Sequence, residues 1–214
     1  MKKHIAGCVL AALATSGAFA QNPAINSWTG GSLFATYHGN TTGDVVGFRF
    51  TMVNTMLADS LGIYCGGATG APDGSIAFDH QVGIWRDSDQ SLVASATVLA
   101  GTSVDAFGFG YVGIAPVQLD AGSSYTLGAM YVSLEPGDGY ISSATSVSTS
   151  SDITFLGAVR PELVSMGFAY PTNFTAGANG RFGPNMTMTA VPEPGTLVAI
   201  AFGLGAFALA RRRR

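Results

Sequence analysis

The sequence predicts an antiparallel β-sandwich of jelly-roll type for residues 21–190, and three observations lead to this prediction. First, 24 glycines in these 170 residues separate short runs rich in Val, Phe, Tyr and Thr, as turns separate strands. Second, no run in this part of the chain keeps helical periodicity over three turns. Third, the runs follow one another without intervening helical segments, which favours an antiparallel over a parallel sheet.

The run Val45–Val53 gives the clearest strand pattern, because its apolar and polar side chains alternate. Its predicted buried face consists of Val46, Phe48, Phe50 and Met52, and its predicted wet face includes Arg49 and Thr51. Shorter or weaker patterns predict further strands at Leu61–Cys65, Gln81–Arg86, Leu92–Leu99 and Ile153–Leu156.

Three later runs are each predicted to bury one face. The side chains expected to share these faces are Phe107, Phe109 and Tyr111 in the first run, Tyr125, Leu127, Ala129 and Tyr131 in the second, and Met186 and Met188 in the third. The third run is Asn185–Ala190, in which Thr187 and Thr189 are expected to point outward.

The connections between these runs also have recognisable chemistry. Asp87–Gln90 and Asp120–Gly122 are predicted tight turns, since Asp, Ser and Gly favour turn conformations. Ser142–Ser151 consists largely of Ser and Thr with Ala and Val, and it fits either a long exposed loop or a polar strand pair.

The first 20 residues have the three parts of a secretory signal peptide. Lys2 and Lys3 are followed by an apolar run over 5–13 and by small residues that end in Ala18-Phe19-Ala20. We predict a signal helix that is cleaved after Ala20, and the apolar run is too short to remain as a membrane anchor.

The charge and cysteine content of residues 21–190 narrows the classes of function. Four arginines and no lysine stand against twelve acidic residues, which gives a net charge of −8. Such a surface repels phosphate backbones, so nucleic acid is excluded as an expected partner. Cys65 is the only cysteine in this range, and it is expected either to be buried or to form an intermolecular link.

The last 24 residues, 191–214, read as a processing and membrane segment. Val191-Pro192-Glu193-Pro194 precedes Thr196–Ala210, which carries no charge and is predicted to form a transmembrane helix of about 22 Å. That length is short of the roughly 30 Å hydrocarbon core, but flanking arginines can snorkel. The cluster Arg211, Arg212, Arg213 and Arg214 is expected to stay in the cytoplasm by the positive-inside rule. The prolines keep the preceding segment extended and display Glu193 between rigid flanks.

This order of elements resembles the PEP-CTERM sorting signal, which exosortases recognise. The resemblance rests on Val191, Pro192, Glu193 and Pro194, the apolar run and the closing arginines. It implies export, a transient stay in the inner membrane, and cleavage near Pro-Glu-Pro by a membrane protease or transpeptidase in bacteria that make exopolysaccharide. The alternative is an ordinary tail anchor that carries two prolines.

Residues 43–190 are similar to an uncharacterised β-rich domain often found upstream of PEP-CTERM tails. The similarity rests on short segments in the same order, which are Gly47–Phe50, His80–Trp85, Ser91–Val98, Tyr111–Leu119 and Phe182–Asn185. This resemblance implies a β-rich fold and supplies no active site.

Candidate catalytic and metal-binding residues form no convincing set in the sequence. His80 could pair with Asp79 or Asp87, but no nucleophile elbow accompanies it. Asp87-x-Asp89 begins like a calcium loop but lacks its later ligands, so a plain turn is favoured. We therefore expect no enzyme activity, no cofactor and no metal.

Trp85 is the candidate for stacking on a sugar ring. It alternates with Ile84, so one of the two side chains is expected to face outward if the strand has one wet face. The alternative is that Trp85 packs in the core. The sequence thus predicts an exported surface or matrix protein with a structural or adhesive role linked to exopolysaccharide, or alternatively a carbohydrate-binding module.

Overall fold

The computed structural model describes residues 22–34, 43–66, 74–131, 138–160 and 167–191. All regular elements in these ranges are strands. They are β1 (Asn22–Pro23), β2 (Ile25–Phe34), β3 (Asp44–Met52), β4 (Met56–Tyr64), β5 (His80–Arg86), β6 (Leu92–Val98), β7 (Phe109–Leu119), β8 (Ser124–Tyr131), β9 (Tyr140–Thr149), β10 (Ile153–Arg160), β11 (Asn173–Ala176) and β12 (Pro184–Ala190).

The strands form three antiparallel sheets, and the predicted antiparallel β-sandwich is confirmed. One sheet has four strands in the order β1-β12-β4-β7, and the other large sheet has six strands in the order β11-β10-β3-β8-β5-β6. Strands β2 and β9 pair only with each other among the described strands, as a long ribbon.

The main core lies between the four-stranded and the six-stranded sheet. It takes the predicted faces of β3, β8 and β12, including Phe48, Phe50, Leu127, Met186 and Met188, all of which are fully buried. The period-two pattern therefore identified the buried faces correctly, because one side of each strand meets the opposite sheet.

Two side-chain predictions are wrong for local reasons. Phe107 is 60% exposed, because it lies before β7 in a turn where the Asp105 carboxylate accepts hydrogen bonds from the backbone N–H groups of Phe107 and Phe109. Thr187 was expected outside but is buried, where its hydroxyl bonds with Ser60 and with the carboxylate of Asp59. A polar side chain can face a covered side of a sheet when partners of this kind satisfy it.

Neither alternative for Ser142–Ser151 holds as stated, because most of this segment belongs to the single strand β9, whose partner is β2. Strand β2 was not predicted, because Gly30 and Gly31 interrupt the apolar pattern. Trp28 anchors the ribbon, since its ring meets Tyr64 edge-on at 4.9 Å and stacks on Phe182 at 5.9 Å. The predicted turns at Asp87–Gln90 and Asp120–Gly122 are present, and Cys65 is buried.

Strand β12 is fixed in place by the amide side chain of Asn185, which is completely buried. Its Oδ1 atom accepts hydrogen bonds from the N–H groups of Ile25 at 3.0 Å and Met186 at 2.9 Å. Its Nδ2 atom donates to the Ile25 carbonyl and to the Tyr111 hydroxyl, each at 3.0 Å. One side chain thus connects the last strand to the start of β2 and to β7.

The flanking helices predicted at 1–20 and 196–210 lie outside the described residues. Within the part of the chain that the structure describes, no helix is long and apolar enough to cross a membrane.

Replacing Asn185 by Ala should destabilise the body strongly. The substitution leaves the buried N–H and C=O of Ile25 without their side-chain partner, at roughly 1–3 kcal/mol for each unpaired group. Urea unfolding followed by circular dichroism would measure the loss. Thr189→Ala on the same strand, at a partly exposed position, is the control and should change the free energy of unfolding by less than about 0.5 kcal/mol. Equal effects of the two substitutions would contradict the anchoring role.

Candidate functional site

The junction between the body and the C-terminal segment lies directly after β12. Ala190 is the last residue of this strand and pairs with Met56 of β4. Val191 is half-buried, belongs to no strand, and is the last described residue. The other residues of the predicted motif, Pro192, Glu193 and Pro194, lie outside the described residues, as do Arg211–Arg214 and the signal residues Ala18 and Ala20.

The two ends of the described body lie side by side. In β1, Asn22 pairs with Met188 and Pro23 pairs with Thr187 of β12. The predicted signal cleavage site after Ala20 and the predicted sorting motif from Val191 onward therefore adjoin neighbouring strands of one sheet.

Trp85 does not offer a stacking surface, and the prediction that needed an exposed indole is corrected here. Its side chain is only 3% exposed, although it lies on the face of β5 opposite the core residues Val82 and Ile84. The ring of Phe168 covers it at a centroid distance of 5.0 Å. Val45 and Val159 are also buried on this outer face and lie outside the main core. Trp85 therefore belongs to a second, smaller apolar cluster.

Two glycines make room for this outer cluster. Gly83 and Gly128 are direct cross-strand neighbours in β5 and β8. A Cβ atom at Gly128 would lie 2.6 Å from Val45 and 3.2 Å from the Trp85 ring, and one at Gly83 would lie 2.8 Å from Phe168. Glycine inside a strand often marks a close approach of this kind, and this signal in the sequence could have revealed the covered face.

A polar network fastens the segment that carries Phe168. The Arg49 guanidinium forms an ion pair with Asp87 at 3.0 Å and donates a hydrogen bond to the Tyr170 hydroxyl. The Tyr170 hydroxyl donates to Asp87 at 3.1 Å, and the Thr126 hydroxyl donates to the same carboxylate at 2.7 Å. Burial is the main cause that raises the pKa of Tyr170, which keeps this hydroxyl protonated.

The network also bears on the calcium-loop alternative at Asp87-x-Asp89. Asp87 turns towards Arg49, whereas Asp89 accepts hydrogen bonds from the backbone and hydroxyl of Ser91 and pairs with Arg86. The two carboxylates therefore serve different partners. Among the described residues, no three His, Cys, Asp or Glu side chains come together as a group that could hold a metal ion.

His80 and Asp138 form a buried pair that sequence reasoning missed. The distance from His80 Nε2 to the Asp138 carboxylate is 3.1 Å, and His80 Nδ1 lies 3.0 Å from the Met130 carbonyl. Both side chains are buried almost completely. Because both ring nitrogens face oxygen acceptors, neither is positioned to take a proton from a serine hydroxyl. The pairing with Asp79 or Asp87 considered from the sequence is not formed.

Asp138 connects the start of β9 to the segment before β5. Its carboxylate accepts hydrogen bonds from the backbone N–H of Ala77, at 3.0 and 2.8 Å to its two oxygens, and from that of Phe78 at 2.8 Å. Burial opposes ionisation of this carboxyl, but the hydrogen bonds from His80, Ala77 and Phe78 outweigh it, so the pKa of Asp138 is lowered. Asp138 is thus a charged structural clamp. The pKa of the neighbouring Tyr131 is raised, first by burial and then by the charge of Asp138.

The sequence comparisons concern the C-terminal segment. Residues 190–214 match the family model of the PEP-CTERM protein-sorting motif. The matched range contains the Pro-Glu-Pro step, the apolar run and the arginine cluster, so the resemblance inferred from the sequence is confirmed for this segment. No curated protein matches the chain.

Replacing Trp85 by Ala should lower the free energy of unfolding by about 3–5 kcal/mol, since it empties the outer cluster. Phe107→Ala is a matched aromatic control, because Phe107 is largely exposed, and its effect should be small. Thermal or urea unfolding would measure both changes. If Trp85→Ala left stability intact while reducing polysaccharide retention, the stacking interpretation would be right after all.

Replacing Asp138 by Asn should destabilise the fold at neutral pH by roughly 1–3 kcal/mol for each buried donor left unpaired, because the amide has only one oxygen to accept from Ala77, Phe78 and His80. A carboxyl with a lowered pKa stabilises the fold above its unfolded pKa of about 3.9, and this contribution is lost as the pH falls through the folded value. The stability gap between the native protein and the variant should therefore narrow below about pH 4. Asp89→Asn in the exposed β5–β6 turn is the control, and its effect on the free energy of unfolding should be small. A stability gap between the native protein and Asp138→Asn that does not depend on pH would contradict the structural role of Asp138.

Proposed function

We propose, from the premise that the chain carries a PEP-CTERM protein-sorting motif at residues 190–214, that it is an exported protein delivered to the cell surface or extracellular matrix. The motif implies an exosortase as the processing partner. Its match is the single observation that carries the proposal, and the signal-peptide pattern of residues 1–20 agrees with it.

The order of processing follows from the two signals. The N-terminal segment directs export and is removed after Ala20, while Thr196–Ala210 holds the chain in the inner membrane with Arg211–Arg214 in the cytoplasm. The exosortase then cleaves near Pro192-Glu193-Pro194, where Glu193 supplies a charge for recognition.

The geometry of the body is compatible with cleavage at this point. Strand β12 ends at Ala190 and is held on both sides, by β1 and by β4. Removal of the residues beyond the motif therefore breaks no strand pairing of the described body. The body can be folded before, during and after processing.

For the mature body we propose a structural or adhesive role linked to exopolysaccharide rather than catalysis. His80, the only histidine among the described residues, is committed to the Asp138 clamp. Arg49, Asp87 and Tyr170 are committed to fastening the outer cluster. A small, strongly acidic β-sandwich with hydroxyl-rich strands is suited to a hydrated matrix, since its net charge keeps it soluble.

The intact mass of the mature protein from its native host tests the sorting proposal. We expect the loss of Met1–Ala20 and of the segment beyond Pro-Glu-Pro, and we expect the second loss to disappear in a host without the sorting enzyme. Glu193→Gln should leave the C-terminal segment in place, whereas Asp89→Asn, which removes one carboxylate from an exposed turn of the body, should be processed normally. Mature protein that still carries Arg211–Arg214 would instead identify a tail-anchored envelope protein.

A further inference from the structure

A polar pocket opens between the ribbon strand β9 and the β10–β11 edge of the six-stranded sheet. Its volume is about 550 Å³, which lies within the range of about 300–1,000 Å³ usual for small-molecule sites. The chain between β11 and β12 forms its third wall. The polar side chains that line it are Ser142, Ser143, Arg160, Thr175, Asn179 and Arg181.

Two of the four arginines of residues 21–190 contribute to the lining of this pocket. Arg160 and Arg181 both line it, and the other two arginines of that range, Arg49 and Arg86, are paired with Asp87 and Asp89. Among the described residues, no carboxylate lies within 4.0 Å of the guanidinium of Arg160 or Arg181. In a body with a net charge of −8, two arginines that line one pocket and have no acidic partner among the described residues offer an anion a local positive site.

The Arg181 guanidinium is held in position before any ligand arrives. Its Nη1 atom donates a 2.6 Å hydrogen bond to the Tyr140 hydroxyl. The same group lies 5.1 Å from the centre of the Tyr140 ring and 5.9 Å from that of Phe34, both within cation–π range. An arginine fixed in this way loses little side-chain freedom when it binds a carboxylate.

The backbone at the pocket is strained on two of its walls. Ser143 and Arg181 have φ angles of +56° and +63°, and both residue types rarely occupy this left-handed region. Each such residue costs on the order of 1–3 kcal/mol, and strain of this kind is concentrated at ligand-binding sites. The described ranges contain three residues other than glycine with a positive φ angle, and two of them line this pocket.

The remaining lining groups favour a ligand that carries hydroxyl groups as well as an anion. The hydroxyls of Ser142, Ser143 and Thr175 can donate and accept hydrogen bonds, and the amide of Asn179 can do the same. Guanidinium groups bind planar carboxylates through paired hydrogen bonds. A sugar acid combines a carboxylate with several hydroxyls in one small unit, so it matches both halves of this lining.

We infer that the pocket binds a uronate unit of an acidic saccharide, with its carboxylate at Arg160 and Arg181 and its hydroxyls at Ser142, Ser143, Thr175 and Asn179. That the saccharide belongs to an extracellular matrix rests on the proposed function, whereas binding to the pocket rests on the geometry alone. The ligand is recognised by charge and hydrogen bonds, so aromatic stacking by Trp85 is not required.

Calorimetric titration of the full chain in detergent micelles with trigalacturonate tests this inference. We expect measurable binding that weakens as salt increases. Arg160→Gln should raise the Kd at least tenfold, because it removes one guanidinium at an exposed position without touching the core. Arg86→Gln removes the same charge from the partly exposed end of β5, away from the pocket, and it should leave the Kd unchanged within twofold.

Two further ligands decide the chemical class. A neutral trisaccharide of matched size and inorganic phosphate should each bind at least tenfold more weakly than trigalacturonate. The inference is overturned if trigalacturonate does not bind, if Arg86→Gln weakens binding as much as Arg160→Gln, or if either further ligand binds as tightly. The titration needs no processing and the mass measurement in the host needs no ligand, so each proposal can fail without the other.

Discussion

Strand β12 is held in the four-stranded sheet by the buried amide of Asn185, which satisfies the backbone N–H and C=O of Ile25 and reaches the Tyr111 hydroxyl. These contacts join the beginning, the middle and the end of the body, since Asn185 and Ile25 are 160 residues apart in the sequence. The start of the β2–β9 ribbon is positioned by the same amide. Strand β9 of the ribbon carries Tyr140, whose hydroxyl accepts a hydrogen bond from Arg181. The position of Arg181 at the pocket therefore depends indirectly on the buried amide of Asn185.

The outer face of the six-stranded sheet, which the sequence predicted to be exposed, is partly covered by the segment that carries Phe168. This face carries Trp85 over the glycines of β5 and β8, and the ion pair of Arg49 with Asp87 secures the segment that brings Phe168 above it. Charge and small side chains cooperate here, because the glycines provide space and the polar network provides attachment. Asp87 pairs with Arg49 of β3 and Asp89 pairs with Arg86, so Arg160 and Arg181 are the arginines that have no acidic partner among the described residues.

The sequence predicted correctly those strands in which buried and exposed side chains alternate along the chain. It identified β3 and the Met186 and Met188 face of β12, because a sandwich core imposes this alternation directly. It missed β2, whose glycines break the pattern, and it missed the covering of Trp85, which depends on a residue more than 80 positions later. It also missed that Arg160 and Arg181 line the same pocket and that His80 pairs with Asp138. Those arrangements arise from tertiary approach between strands and loops, and no local spacing encodes them.

The position of β12 has a consequence for the timing of folding. The last strand of the body is an interior strand of its sheet, between β1 and β4, so this sheet cannot close until the chain is available as far as residue 190. Until that moment the edge of β4 lacks its partner and can pair with another chain. In the proposed export route, a halt in translocation directly after β12 would keep each unfinished molecule tethered and apart from others while it completes the sheet. The tether would then no longer be needed once the final strand is in place.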